Sequence, residues 1–480
     1  MIFNNMSFKQ MFKNSKITLI IIFFGFIISV FISMNNINKY DKNIIDENGN
    51  SYHQMIKHDT LRYLTHGNEI KDQLKEGINF FKTGREHYTK YLPPRVMAAY
   101  YYLFDIDLFN NNYEKKINTG IHFPYLVFQS FLYYFSVVLL YFSISKLINR
   151  NTSFFIVCFL CFEPIILQYH SSFWSESIFF SLQILLASLI LKEKQSNLNF
   201  FLIGIFLAML SLQKEYSIFY IIPIIIYSYI TINNLKYKSF LFLLIGFFLI
   251  QSVLGYNNYQ RSGKFYIMTA DSKVNLHIDL VKKVMQKKLK ISSKEFDSIE
   301  GKASLQWIQK NSIEFNKEKL ANIEDPGFML YRYNILEKDK VKFDNFIRNR
   351  TLNYFYKYPI DFLKFIIKSS VHITLLNPFH IYSDNNFMSG EYYYTTKTHD
   401  KLVPYRVVYT SVVYLICIYG LFVIFKKKNY DILLYLIFSI IYFYGLVSWH
   451  ANTRYFVPVM IYLSFFFGYG IDKILNYTKK

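Results

Sequence analysis

The chain has 480 residues, of which 52% are apolar, and a formal net charge of +21. Its apolar residues form blocks that are too long for core helices of a soluble protein, so the composition excludes a set of soluble globular domains. The basic residues are spread over many short connections rather than gathered on one face, which excludes nucleic acid as the natural partner and favours anionic membrane lipids.

Hydropathy predicts an all-α polytopic membrane protein with ten spans. They lie near residues 17–33, 122–145, 153–169, 174–191, 198–212, 216–232, 239–256, 405–425, 430–448 and 455–471. Every second connection is rich in Lys and Arg, so the positive-inside rule predicts that both termini are cytoplasmic. The composition suggests a bacterial chain, and we therefore expect a multi-pass protein of the inner (plasma) membrane.

The same alternation places two long loops on the outer, periplasmic side. The predicted organisation is a signal-anchor helix at 1–33, a first external loop at 34–121, a six-helix core at 122–256, a large external loop at 257–404, and three C-terminal helices with a cytoplasmic tail at 405–480. The side of each loop follows from the lysines, whereas the spans follow from hydropathy. Polar residues of both loops are therefore expected to meet on one face.

The first loop is predicted to contain helices that lie near the membrane interface. Residues 72–81 have helical spacing that Gly84 ends, and Pro93-Pro94 opens an amphipathic stretch over 95–104. In the second loop, a charged helical region over about 273–350 precedes an apolar run over 359–379. We interpret that run as an interfacial helix, because an eleventh span would break the alternation of lysines.

Sequence signatures of soluble enzymes are absent: the chain has no GxGxxG, Walker, HExxH or GxSxG motif. A different set of short elements occurs in order along the chain. They are Gly84 about fifteen residues after an acid, Pro93-Pro94, Ser175-Glu176-Ser177, the segment from Gly204 to Lys214-Glu215, Tyr358-Pro359, and Asn452-Thr453-Arg454-Tyr455 with Pro458. This order resembles the GT-C glycosyltransferases, which include dolichyl-phosphate-mannose protein mannosyltransferases and lipid A aminoarabinose transferases.

The resemblance implies a GT-C-like bundle that transfers a sugar, with inversion, from a polyprenyl-phosphate donor to a lipid, glycan or protein acceptor. By its spacing from Gly84, Glu69 takes the position of the catalytic acid, where the family usually has Asp; Asp59 and Asp72 are the alternatives. A carboxylate can act as general base towards the acceptor hydroxyl. No cofactor is implied, and a metal site around His87 lacks ligand spacing.

Cationic residues on the outer side run against the usual charge bias, and a lipid phosphate would explain them. The residues predicted to bind the donor are Lys214, Arg454, Tyr455, Arg95 and Glu176. Glu163, inside the third span, is expected either to pair with a base such as Lys214 or to stay protonated. Two other functions remain open, an O-antigen polymerase or ligase and a transporter or flippase of lipid-linked saccharides.

Overall fold

The structure is a computed structural model, and its elements are helices apart from one short hairpin, β1 (Asn43–Ile45) with β2 (Ser51–His53). It describes residues 15–40, 43–45, 51–53, 59–83, 91–106, 122–173, 175–231, 237–267, 274, 276–316, 320, 323, 325–375, 397–447 and 456–477.

A bundle of apolar helices forms the larger part of the described chain. These helices are α1 (Lys16–Tyr40), α4 (Phe123–Leu147), α5 (Arg150–Phe162), α6 (Pro164–His170), α7 (Glu176–Ile190), α8 (Asn197–Gln213), α9 (Ile221–Thr231), α10 (Tyr237–Ser262), α16 (Lys397–Lys426), α17 (Tyr430–Val447) and α18 (Val457–Tyr477). A 3-10 helix, Glu215–Tyr220, leads from α8 into α9.

The two long loops contribute the remaining helices. Those of the first loop are α2 (Asp59–Lys75) and α3 (Leu92–Leu103), and those of the second are α11 (Lys282–Leu289), α12 (Ser293–Lys310), α13 (Phe328–Asn334), α14 (Glu337–Lys357) and α15 (Pro359–Leu375). A 3-10 turn, Phe80–Lys82, lies between α2 and α3, and a π-helical turn, His277–Val281, leads into α11.

Five helices among the described residues are long and apolar enough to cross a membrane: α1, α4, α10, α18 and the Val407–Lys426 part of α16. Helices α5 and α6 would form a sixth span, bent by 52° where Pro164 interrupts the predicted span 153–169. The chain is therefore a helical membrane protein. Shorter apolar helices occupy the other predicted segments, so the crossing of the membrane ten times stays a prediction.

Contacts between helices define two ends of the bundle. At one end Asp472 of α18 accepts hydrogen bonds from Asn149 and Thr152 at the start of α5, at 3.0 and 2.8 Å. At the other end Asn36 of α1 donates to Ser171, which follows α6, at 2.8 Å. We call the first the basic end, since it lies beside Lys146 and Arg150, and the second the loop end, because the described parts of both long loops contact it. Which side of the membrane each end faces stays a prediction.

Pairs of glycines bring neighbouring helices into backbone contact. A Cβ atom on Gly204 of α8 would lie 2.1 Å from the Leu243 carbonyl oxygen of α10, and one on Gly246 would lie 2.2 Å from the Phe201 carbonyl oxygen of α8. Small residues permit such close packing of membrane helices. Gly204, one of the residues that carries the resemblance, thus has a packing role.

The first-loop helix does not occupy the predicted range 72–81. Helix α2 ends at Lys75, because Gly77 adopts the left-handed conformation with φ +80°. The Ile78 amide donates to the Gln73 carbonyl and the Gly77 amide to the Leu74 carbonyl, which is the Schellman arrangement that ends a helix. The predicted boundaries were wrong, whereas Pro93 and Pro94 open α3 as expected.

The second-loop module, α11 to α15, has apolar cores of its own. Phe328, Phe343 and Ile347 belong to one core, and Val284, Phe296 and Phe362 belong to the other. The charged helical region predicted over 273–350 is therefore a folded module. Helix α15 lies within the run that the sequence predicts to be interfacial.

Candidate functional site

Helix α3 lies across the loop end of the bundle. Tyr91, immediately before α3, packs against Leu212 of α8 and Leu254 of α10. At the far end of α3, the Tyr101 hydroxyl lies 2.8 Å from His122 Nε2, next to the start of α4. Ten residues of helix span about 15 Å, so α3 bridges the ends of α4, α8 and α10. The polar residues beneath it are candidates for a site.

A charged pair is buried at this end. Lys214 Nζ lies 2.5 Å from Glu176 Oε1, and each side chain is 2% exposed. Glu176 is the first residue of α7 and Lys214 follows the last residue of α8, so each charge lies at the helix terminus whose dipole stabilises it. Gln213 Nε2 also donates to the Ser175 carbonyl at 2.7 Å. Two residues that the sequence predicts to bind the donor thus bind each other.

Buried amide and imidazole groups hold the turn before Glu176. Gln129 Nε2 donates to the carbonyls of His170 and Ser172 at 2.6 and 2.8 Å, and His170 Nδ1 lies 2.7 Å from Ser177 Oγ. Sequence reasoning did not single out Gln129 or His170. The signal was present, since each is a polar residue inside a long apolar segment, where side chains of this kind are retained for a reason.

A small recess lies between the start of α3 and the helices α8 and α10. Its walls include Tyr91, Ser211, Leu212, Glu215 and Leu254. Lys214 precedes the wall residue Glu215 in the chain.

Arg95 of α3 contacts Tyr91, one of the residues that line this recess. Its guanidinium stands 3.5 Å from the centre of the Tyr91 ring and donates to the carbonyls of Tyr91 and Thr83, both at 3.3 Å. The structure thus brings two of the predicted cations, Arg95 and Lys214, to the same end of the bundle. Arg454 and Tyr455 lie outside the described residues, although Val457 begins α18 at this end.

The three candidate acids all belong to α2. Asp72 accepts from Asn68 Nδ2 at 2.8 Å and lies 3.2 Å from Lys71 Nζ, whose ammonium is buried and donates to the Ile106 carbonyl at 2.9 Å. Glu69 is half-buried, three residues before Asp72 and so on the same helix face.

Asp59 is the first residue of α2, and its side chain is not among those that the structure describes. The ten residues from Asp59 to Glu69 span about 15 Å of helix. The structure therefore brings Glu69 and Asp72 together and separates Asp59 from both. The choice among them stays a prediction.

Glu163 lies at the bend between α5 and α6. It accepts a hydrogen bond of 2.6 Å from the Tyr409 hydroxyl. Lys214, which the sequence offered as one possible partner of Glu163, binds Glu176. Glu163 thus has a hydrogen-bond partner in α16.

The second-loop module contains a buried ionic network that sequence reasoning missed. Glu300 is fully buried and accepts two hydrogen bonds from Arg350, at 2.6 and 2.7 Å, and one from Tyr354 at 2.7 Å. His277 Nε2 lies 3.2 Å from the same carboxylate. Burial raises the pKa of Glu300, but hydrogen bonds from Arg350 and His277 outweigh it, and the pKa falls to about 2. Glu300 thus stays ionised and fixes α12 to α14.

Within the described part of the chain, no three His, Cys, Asp or Glu side chains are close enough to hold a metal ion. The fold and the polar groups at its loop end define a helical membrane protein with a buried charged pair at one end of its bundle. Comparison of the chain with protein-family models, with curated proteins and with solved structures finds no match.

Proposed function

We propose that the chain is a membrane glycosyltransferase of the GT-C type, which moves a sugar from a polyprenyl-phosphate donor to an acceptor at the loop end. The observation that carries the proposal is the buried Glu176–Lys214 pair at the loop end of the bundle. Desolvation of a buried ion costs several kcal/mol. Ionisable groups held among apolar helices commonly mark the path of a charged substrate.

The reacting groups follow from the chemistry of the donor. The acceptor hydroxyl oxygen forms a bond to the anomeric carbon, and the bond from that carbon to the phosphate oxygen breaks with its electron pair on the phosphate. Lys214 would leave Glu176 and stabilise the phosphate as a point charge, while Arg95 can bind it through two N–H groups. The hydroxyl proton passes to a carboxylate of α2, Glu69 first, with Asp72 and Asp59 as alternatives.

This chemistry needs a particular topology of the chain in the membrane. The ten apolar segments cross the inner membrane, both termini are cytoplasmic, and the loop end faces the periplasm, where lipid, glycan or protein acceptors are available. Arg454 and Tyr455 would complete the donor site with Glu176. No cofactor is needed, because positioning and charge stabilisation supply the catalysis.

The experiment compares glycans of cells that carry the gene, lack it, or express a variant. Glu69→Gln, Asp72→Asn and Asp59→Asn are tested singly, and Glu76→Gln is the matched control because Glu76 is exposed just after α2. We expect mass analysis of surface glycans to show that one of the three amide variants abolishes transfer and that Glu76→Gln retains it. Full transfer by all three, at equal amounts in the membrane, would refute the assigned base.

A second measurement separates the phosphate role of Lys214 from a structural one. The Lys214→Met variant loses both a cation and a partner of Glu176, whereas Lys214→Met with Glu176→Gln leaves no unpaired charge. We expect the double variant to insert and fold but to transfer no sugar. Restored transfer would contradict the role of Lys214. Movement of labelled polyprenyl-phosphate sugar into vesicles without acceptor would favour a transporter instead.

A further inference from the structure

Helix α15 has an exposed apolar face in addition to the one that it packs on the module. Phe362 is buried in the core of the module, and Phe365 and Ile366 pack against it. On the other side Ile360, Leu363 and Ile367 are 65, 58 and 57% exposed. Their spacing of three and four residues places them on one stripe of the helix.

Exposed lysines lie beside this stripe. Lys364 and Lys368 are exposed and each follows a stripe residue directly, and Lys357 is exposed at the corner where α14 meets α15. Tyr356, 83% exposed, occupies the same corner. We call Ile360, Leu363, Lys364, Ile367 and Lys368 the α15 outer face. An apolar stripe beside basic residues, with an aromatic residue at its edge, is typical of helices that lie in the headgroup region of a bilayer.

The position of α15 in the fold fits such a role. The Tyr444 hydroxyl of α17 donates to the Ser370 carbonyl of α15 at 3.3 Å. Tyr444 lies three residues before the end of α17, or about 5 Å of helix. The end of α17 is at the loop end, because Tyr442 donates to the Tyr216 carbonyl just after Lys214. Helix α15 thus contacts the bundle at the loop end, where α17 ends.

We infer that the α15 outer face lies on the membrane surface and prefers anionic phospholipid, and that this contact fixes the second-loop module against the bilayer. The inference does not depend on the proposed transfer reaction. A second copy of the chain is the less suitable occupant, because a two-fold contact through this face would bring Lys364 and Lys368 of both copies together.

The test uses the full chain reconstituted into vesicles of phosphatidylcholine, with or without phosphatidylglycerol. Leu363→Cys carries an environment-sensitive fluorophore, and Lys294→Cys, on an exposed position of α12, is the matched control. The parent chain, with its cysteines in apolar helices, gives the background labelling. We expect a blue-shifted emission that brominated lipid quenches at position 363, and neither effect at position 294.

The preference for anionic lipid is measured as the relative quenching by brominated phosphatidylglycerol and brominated phosphatidylcholine at position 363. Neutralising one lysine near an anionic surface lowers such a preference by about fivefold. The double variant Lys364→Gln with Lys368→Gln, in which both positions are exposed, should therefore reduce the ratio by about fivefold for each substitution. Equal quenching at 363 and 294, energy transfer between labelled copies at high dilution in lipid, or a ratio unchanged by the lysine substitutions would each overturn the inference.

Discussion

The buried pair Glu176–Lys214 makes a quantitative prediction about stability. Two unit charges 2.5 Å apart attract each other by about 7 kcal/mol at an effective dielectric constant of about 20. Desolvation of both ions offsets most of this attraction. When one partner is removed, the desolvation cost of the other remains. We therefore expect Lys214→Met or Glu176→Gln to lower the free energy of unfolding by about 3–5 kcal/mol.

The double variant should cost less than either single one, because it leaves no uncompensated charge. The assay is unfolding of the full chain in mixed micelles with increasing denaturing detergent, followed by far-ultraviolet circular dichroism. Lys75–Asp105 is a matched exposed pair, with side chains 42 and 83% exposed, and Lys75→Met should cost at most about 1 kcal/mol. The reasoning would be refuted if either single variant lost as little free energy of unfolding as Lys75→Met does. It would also be refuted if the loss of the double variant equalled the sum of the two single losses.

Two further predictions concern helix packing and pH. Gly204→Ala would place a Cβ 2.1 Å from the Leu243 carbonyl oxygen and should lower the free energy of unfolding by about 1–3 kcal/mol. Gly445→Ala is the control, because nothing lies within 4 Å of its Cβ, and it should not lower the free energy of unfolding. Equal losses for the two variants in the same detergent assay would contradict the close contact at Gly204. Glu300 has a pKa of about 2 when folded and about 4.3 when unfolded, so its stabilisation is present above about pH 4.5 and is lost as the pH falls to about 2. Glu300→Gln should remove this part of the pH dependence of unfolding, and an unchanged slope would contradict it.

The positions of the apolar helices could be predicted from hydropathy, because each one requires a long run of apolar residues. Their internal geometry could not. The predicted span 153–169 includes Pro164, and the structure bends it by 52° at that residue. The first-loop helix was misplaced because Gly84 was taken as its end, whereas Gly77 ends it with a left-handed backbone. Glycine alone does not tell which of two positions needs that conformation.

The sequence could predict that Glu176 and Lys214 lie at the same end of the bundle, but not that they form a pair. Sequence alternation placed Glu176 and Lys214 at one end of the spans, yet they are 38 residues apart and their contact depends on how α7 packs on α8. Lys214 was considered as a partner for Glu163, which instead accepts from Tyr409 of α16. Contacts between helices depend on the rotation of each helix about its axis, which hydropathy does not determine when a helix is apolar all round.

The network around Glu300 had a sequence signal that was not used. Phe296, Glu300, Ser304 and Ile308 are spaced four residues apart and are all buried on one face of α12. An acid on an otherwise buried stripe indicates a cation as its partner. The identity of that partner, Arg350, could not be derived, since it lies fifty residues later on another helix.

The contact between Lys214 and Glu176 also bears on the turnover of any anionic ligand. If Lys214 receives a phosphate, Glu176 is an internal competitor, tethered at high effective concentration and always present. The free energy of binding measured for the anion is then the difference between its attraction to Lys214 and the attraction of Glu176 to Lys214. A product phosphate would be bound weakly for its charge, and the returning carboxylate would displace it. The intramolecular ion pair, which leaves neither charge buried without a partner, would thus also promote release of the anion.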